Sequence, residues 1–203
     1  MIDGTQHEGE VHLGLHPLLL EVPDELETQR LLLRSPVWGD GALVNKAILE
    51  SLDALRPWMP WATKEPTVDE SEENVRRARL RYLERSDLRL HVFEKETGEL
   101  IGSSGLHRID WEARKFEIGY WIRTLWGGRG FMTEAVAGIM DFAIIQLQAN
   151  RVEIRCDARN VRSSAIAERL DFKLEGVLRS DSCDVDGRVR DTMVFAKVRG
   201  HEF

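Results

Sequence analysis

Gly127, Gly128 and Gly130 stand between a segment of strand composition, Phe116 to Ile122, and a long apolar stretch of helical pattern. Glycines let a backbone turn tightly and present its N–H groups without obstruction. The helix that follows leaves its first N–H groups unpaired, and its dipole places positive potential there. Residues of these types in this order can cradle an anion, best a phosphate or pyrophosphate. The Walker pattern fails, because no Gly-Lys-Ser/Thr follows. The dinucleotide pattern needs a third glycine, and Thr133 stands in its place. Two readings remain: the pyrophosphate of coenzyme A, or a tight strand-to-helix connection with no ligand. The other reactive residue types are dispersed. The histidines show no metal-ligand spacing, which predicts no metal. Cys156 and Cys183 make no disulfide framework, have no evident histidine partner, and read as packing residues.

Composition bounds the function. A chain of 203 residues predicts one domain with a substantial core. Hydrophobic residues at 42% and charged residues at 31% are ordinary for a soluble globular protein. A net charge of -7 argues against nucleic acid and anionic membranes as partners, and is compatible with a cationic or amine partner. No apolar run approaches the ~18 residues of a membrane span, and no basic stretch precedes an apolar one at the N-terminus. A cytoplasmic protein with reduced thiols is expected.

The elements that must position the loop follow in order. Residues 1–26 are a mixed lead-in, whose His16-Pro17-Leu18-Leu19-Leu20 either docks on the body or adds a short strand. Thr28 to Arg34 reads as a strand, stopped by Pro36. Asp40 is placed to cap a helix over 41–52. Trp58 and Trp61, set among prolines, form either a loop pinned by its aromatics or a wall of an acceptor pocket. Thr67 and Glu70 predict a capping box, with Val68, Ser71, Val75, Ala78 and Tyr82 on one face of the helix behind it. The arginines from Arg76 to Arg85 read as its solvated face. Strands at 88–94, 100–109 and 114–122 imply an antiparallel meander. A buried helix over 129–147 leads to a strand at 151–156 in a parallel βαβ unit. Ser163 and Ser164 start a short helix, and a hairpin turning at Asp186-Gly187 closes the chain.

In that order of elements the chain resembles the GNAT N-acetyltransferases, and most of all their ribosomal-protein branch, the RimJ/RimL type. E-T-Q-R-L-L-L-R at 27–34, P-W-M-P-W at 57–61, I-G-S-S-G-L-H-R-I-D at 101–110, F-E-I-G-Y-W-I at 116–122, G-R-G-F-M-T-E-A at 128–135 and the stretch from Arg159 to Gly176 carry the likeness. It implies a single α/β domain over 27–203. Its twisted sheet would be mixed, mostly antiparallel and of about seven strands, flanked by about four helices and splayed between the fourth and fifth strands. It implies transfer of acetyl from acetyl-CoA to an amine, most of all a protein N-terminal α-amine. A small-molecule amine and a non-catalytic acyl-CoA-binding module are the alternatives, and a homodimer is an open option. Departures from the family pattern fall at Gly127, Met132, Asp171 and Ala167; the last stands where many members have a tyrosine acid.

The same resemblance assigns roles. Amides of Gly128, Arg129, Gly130, Phe131, Met132 and Thr133 would hold the pyrophosphate. Trp121 and Ile122 would line the pantetheine, with the N–H near Ile122 polarising the thioester carbonyl. Asn160 and Ser163 would bond the pantetheine arm. Trp58, Trp61, His107 and Tyr120 would face the acceptor. The reaction needs a base for the amine and an acid for the thiolate. Glu117 is the first choice of base, its pKa raised by burial beside Trp121; a structural pairing with an arginine is the competing role. Asp181, Asp184 and then His107 follow as candidate bases. Ser163 is the candidate acid, or the cap of its helix.

Overall fold

In Leu31–Arg34 (β2) successive side chains pack on opposite sides. Leu31 and Leu33 are fully buried in one apolar cluster, while Leu32 meets another. That alternation places a sheet between two helical layers. The computed structural model describes residues 16–203. The other strands are Glu25–Glu27 (β1), Leu88–Glu94 (β3), Leu100–Asp110 (β4), Lys115–Ile122 (β5), Arg151–Asp157 (β6), Lys173–Cys183 (β7) and Val189–Val198 (β8). They form one sheet in the order β1-β2-β3-β4-β5-β6-β8-β7. Among the described residues only β5 and β6 pair in parallel; the other neighbours are antiparallel.

The helices are Gly41–Leu49 (α1), Leu52–Leu55 (α2), Val68–Leu83 (α3), Phe131–Ile145 (α4) and Val161–Arg169 (α5). α4 and α5 bury Ala135, Val136, Ile139 and Ala167 against Phe116, Ile118, Val152 and Ile154. On the opposite face α1 and α3 bury Val44, Ala47 and Val75 against Phe93 and Leu100. α4 runs under the sheet because its apolar residues wrap most of its circumference. Its first turn is tied to the start of β2: Glu134 accepts from Thr28 Oγ1 at 2.6 Å, from the Arg30 N–H at 2.7 Å and from Arg30 Nε at 2.6 Å.

The mixed, mostly antiparallel sheet and its flanking helices agree with the expected architecture. Differences lie at the margins. The sheet has eight strands rather than seven, because Glu25–Glu27 adds an edge strand across the expected boundary at 26. In the expected His16–Leu20 segment, Pro17–Leu19 forms a single turn of 3₁₀ helix. The helix expected over 41–52 breaks into α1 and α2, with Ser51 outside helical geometry. Asp40 precedes α1 but does not cap it. Its carboxylate binds both Nη atoms of Arg34 at 2.8 Å and lies 3.2 Å from His91 Nδ1. The Thr67–Glu70 capping box is formed. α5 starts at Asn160, whose side chain accepts from the Ser163 N–H; Ser163 is already helical and is not the cap. After α5, Asp171 takes φ 58° where the family pattern has glycine, and the Phe172 N–H returns to the Ala167 carbonyl. Aspartate tolerates that left-handed position.

Candidate active site

β5 and β6 pair only from Lys115↔Arg151 to Glu117↔Glu153, although β5 continues to Ile122 and β6 to Asp157. Beyond Glu117 each strand follows its outer neighbour. β5 stays paired with β4 to Gly102↔Ile122, and β6 with β8 to Asp157↔Thr192. Arg123 fixes the far end of β5. Its nearly buried guanidinium binds Glu50 at 2.5 Å, Glu99 at 3.0 Å and the Leu100 carbonyl at 2.8 Å. The two strands therefore diverge, and a cavity of about 790 Å³ opens at the gap.

Strand alternation gives the gap two distinct sides. Glu117, Gly119 and Trp121 point to the α1–α3 face, together with His107 from β4. Trp61 meets Trp121 edge to face at 6.2 Å. Trp58 lines the same side, and its carbonyl accepts from Arg190. Tyr120 points to the α4–α5 face, where its hydroxyl lies 3.0 Å from both the carbonyl and the Oγ of Ser163. Asn160 and Cys156 line that side too. Because Arg123 donates its N–H to the Ile101 carbonyl on β4, alternation turns the Ile122 N–H toward the gap.

The glycine loop lies beyond the end of β5. Thr124 N–H donates to Ser51 Oγ, and a short 3₁₀ turn over Thr124–Trp126 leads to the glycines. Gly128 and Gly130 take φ 74° and 78°, which a side chain would strain. Space beside Gly128 is open: an added Cβ would meet nothing within 4 Å. Among the described residues the amides from Gly128 to Thr133 donate to no protein acceptor. A diphosphate fits that row of free donors at the start of α4. Phe131 and Met132 offer only their amides, since both side chains are buried. Arg30 and Arg129 stack on the Phe131 ring at 4.3 and 5.1 Å and hold the loop from outside.

Electrostatics divide the candidate groups. Burial pushes the Glu117 carboxyl up, against the charges of Arg108 and Arg155; Arg108 Nη1 stands 3.5 Å away. Tyr120 is raised strongly, by burial above all. Burial also raises the Cys156 thiol, opposed by a hydrogen bond from Ser163. Asp181 lines the cavity but is engaged by Arg155 at 3.0 Å. Asp184 is a turn residue, accepting the N–H groups of Asp186 and Arg188 in the β7–β8 hairpin.

The gap thus gathers Trp58, Trp61, His107, Glu117, Tyr120, Trp121, Asn160, Ser163 and Asp181 around one cavity. The residues of the loop sit apart from it, at the start of α4. Sequence reasoning missed Arg108, Arg155, Asp157 and Arg190 on the walls, and Asp87, which binds His107 at 2.7 Å. Arg108 lies within the quoted stretch 101–110, beside His107, without having been singled out; the others lie in no quoted motif. Asp87 lies outside all the quoted stretches, and only its position just before a strand marks it. Among the described residues no group of three or more potential metal ligands occurs, and no helix is long and apolar enough to cross a membrane.

A sheet parted at its one parallel pair, above free amides at a helix N-terminus, is the architecture of an acyl-transfer enzyme. The model described as acetyltransferase (GNAT) domain matches residues 30–173, and the chain belongs to that family of N-acetyltransferases. An uncharacterized N-acetyltransferase, p20 of Bacillus licheniformis, is 30% identical over 87% of this chain and 97% of that protein. The ribosomal-protein-serine acetyltransferase of Escherichia coli K12 is 28% identical over 61% of this chain and 70% of its own length. The structure of Mycobacterium smegmatis RimJ in complex with CoA-disulfide superposes with a TM-score of 0.81 at 25% identity, over 91% of this chain and 90% of that one.

Proposed function

We propose that the chain acetylates the α-amine at a protein N-terminus with acetyl-CoA as donor. One observation carries the reading: the sheet gap has a free-amide cradle beyond one end and a raised-pKa carboxylate, Glu117, on the opposite face. Acetyl-CoA, when bound, supplies an activated thioester carbonyl. Amides from Gly128 to Thr133 would hold its diphosphate, and Asn160 and Ser163 are set to bond its arm. The Ile122 N–H is directed to polarise the carbonyl. Glu117 takes the amine proton, directly or through water. Ser163, whose hydroxyl lies 3.0 Å from the Tyr120 hydroxyl on the same cavity wall, is the candidate proton donor for the leaving thiolate.

The walls support a peptide over a polycation. A pocket for a polyamine keeps its carboxylates unpaired. Here Glu70, Glu117, Asp157 and Asp181 are each faced by a cation: Lys64, Arg108, Arg159 and Arg155. Trp61 is 48% exposed at the mouth, where an extended backbone can lie across it. The ribosomal-protein acetyltransferase among the relatives points the same way. The free, unpaired Cys156 and Cys183 suit a reducing compartment such as the cytoplasm.

The test is turnover of acetyl-CoA with short peptides of free N-terminus, the same peptides blocked there, and spermidine, read as released CoA thiol. Mass spectrometry then locates the acetyl group. Acetyl on the α-amine of unblocked peptides alone is the expected result. Acetylation confined to spermidine or to lysine side chains would reject the α-amine reading.

A further inference from the structure

Asp87, in the turn between α3 and β3, has no part in the chemistry above. Its Oδ2 lies 2.7 Å from His107 Nδ1, and its Oδ1 is buried with no partner among the described residues. The turn that carries it is fixed: Trp111 Nε1 donates to the Arg85 carbonyl at 2.7 Å, and Arg85 takes φ 62°. The Asp87 carboxyl is held below its ordinary value. Burial opposes this, but the hydrogen bond and charge of His107, with Arg89 and Arg81, outweigh it. An ionised carboxylate only accepts, so the facing Nδ1 carries a proton, and in the neutral ring Nε2 is a lone-pair acceptor. Nε2 has no hydrogen bond among the described residues and is not a buried orphan, so it opens on the cavity that His107 lines.

Gly119 makes room for this ring. A Cβ there would stand 2.8 Å from His107 Cδ2 and 3.2 Å from Nε2. Glu117 is the register partner of His107, on the same face, and no hydrogen bond joins the two. Two acceptors therefore flank one opening. A neutral primary amine has two N–H bonds and one lone pair, which matches two acceptors and one electrophile.

We propose that Asp87 is a positioning residue of the transfer: it fixes the His107 tautomer whose Nε2 accepts one N–H of the acceptor amine opposite Glu117, so that the site selects primary amines. The proposal rests on Glu117 as base. The nitrogen lone pair forms the C–N bond as the C–S bond breaks. One N–H proton passes to Glu117, the other stays on the amide nitrogen at His107, and the thiolate is protonated from the Ser163 side or from water. A secondary amine has one N–H and leaves one acceptor unsatisfied.

Nitrogen-15 NMR of histidine-labelled wild type, assigned against His107→Gln, reads the tautomer without turnover. The expected result is a protonated Nδ1 and a bare Nε2; a protonated Nε2 in the neutral ring overturns the proposal. Asp87→Asn should shift that tautomer and lower kcat/KM for a peptide about 10- to 100-fold, with KM for acetyl-CoA unchanged. The preference for a free over an N-methylated α-amine should shrink with it. If Asp87→Asn folds, keeps the rate and keeps the preference, Asp87 does not position the site. If instead Glu117→Gln keeps full rate while Asp87→Asn stays impaired, the base assignment alone is wrong and the role of Asp87 stands.

Discussion

Glu117 is held in a state suited to receiving a proton. Burial raises its carboxyl pKa, and the Arg108 and Arg155 charges only partly offset that. As base it acts deprotonated, so kcat/KM should climb with pH along a limb set by its raised value, above the ordinary ~4.3 of a glutamate. Glu117→Gln should lower kcat about 10²- to 10⁴-fold and remove that limb; a full rate with an unchanged profile would assign the proton to another group. Ser163 needs a different separation. Its N–H is the donor to the Asn160 cap, whereas its hydroxyl meets Tyr120. Asn160→Ala should therefore cost about 1 kcal/mol of stability, while Ser163→Ala should leave the melting temperature nearly unchanged and lower turnover. Equal losses of stability in both variants would make Ser163 a structural residue. At this scale the sequence singled out Glu117 as a candidate, because it sits in a strand beside the gap that the resemblance implied. It hid Asp87, whose part depends on a contact across 20 positions.

Asp40, Arg34 and His91 join three elements: the start of α1, β2 and β3. His91 is nearly all buried, and burial depresses its pKa more than Asp40 restores it. The Asp40 carboxyl is itself held far below its ordinary value; burial works against this, and the hydrogen bonds of Arg34, His91 and the Val37 N–H overcome it. Both folded values are depressed, so both contributions are present above the unfolded values and are lost as pH falls. Stability should decline first below about 6.5, from His91, and again below about 3.9, from Asp40. His91→Gln should flatten the first decline in urea melts taken across pH, and Asp40→Ala should cost about 2 kcal/mol near neutrality. A first decline that survives in His91→Gln would place its source elsewhere. The meander was legible at this scale because β3 and β5 alternate apolar residues and short polar turns join the three strands. β1 was not, since three residues of Glu-Leu-Glu carry no period. β7 reaches Cys183 through a register shift between Leu178 and Ser182, with Ser180 at φ 55°.

Across the described residues one sheet runs through the molecule and parts between β5 and β6. Helical layers pack on both faces, with the Arg123 cluster at one edge of the gap and the β6–β8 ladder at the other. The end of β5 therefore carries main-chain groups facing the gap, while the loop amides at the start of α4 stand unpaired beyond it. The family resemblance implied this gap, which lies at the parallel pair of the described sheet; its walls come from loop, helix and strand segments spread along the chain, which no local pattern links. A ligand that binds only the folded state at 100 times its dissociation constant adds about 2.7 kcal/mol to stability. Acetyl-CoA at that level should raise the melting temperature accordingly, and its protection against amide hydrogen exchange should be confined. Slower exchange is expected from Ile118 to Ile122 and from Gly128 to Thr133, with β2 and β3 unchanged because their ladders are already complete. Protection spread evenly over the sheet would mean stabilisation without occupancy of the gap, and protection at the loop with none on β5 would mean that the diphosphate is held while the acyl arm lies outside the sheet.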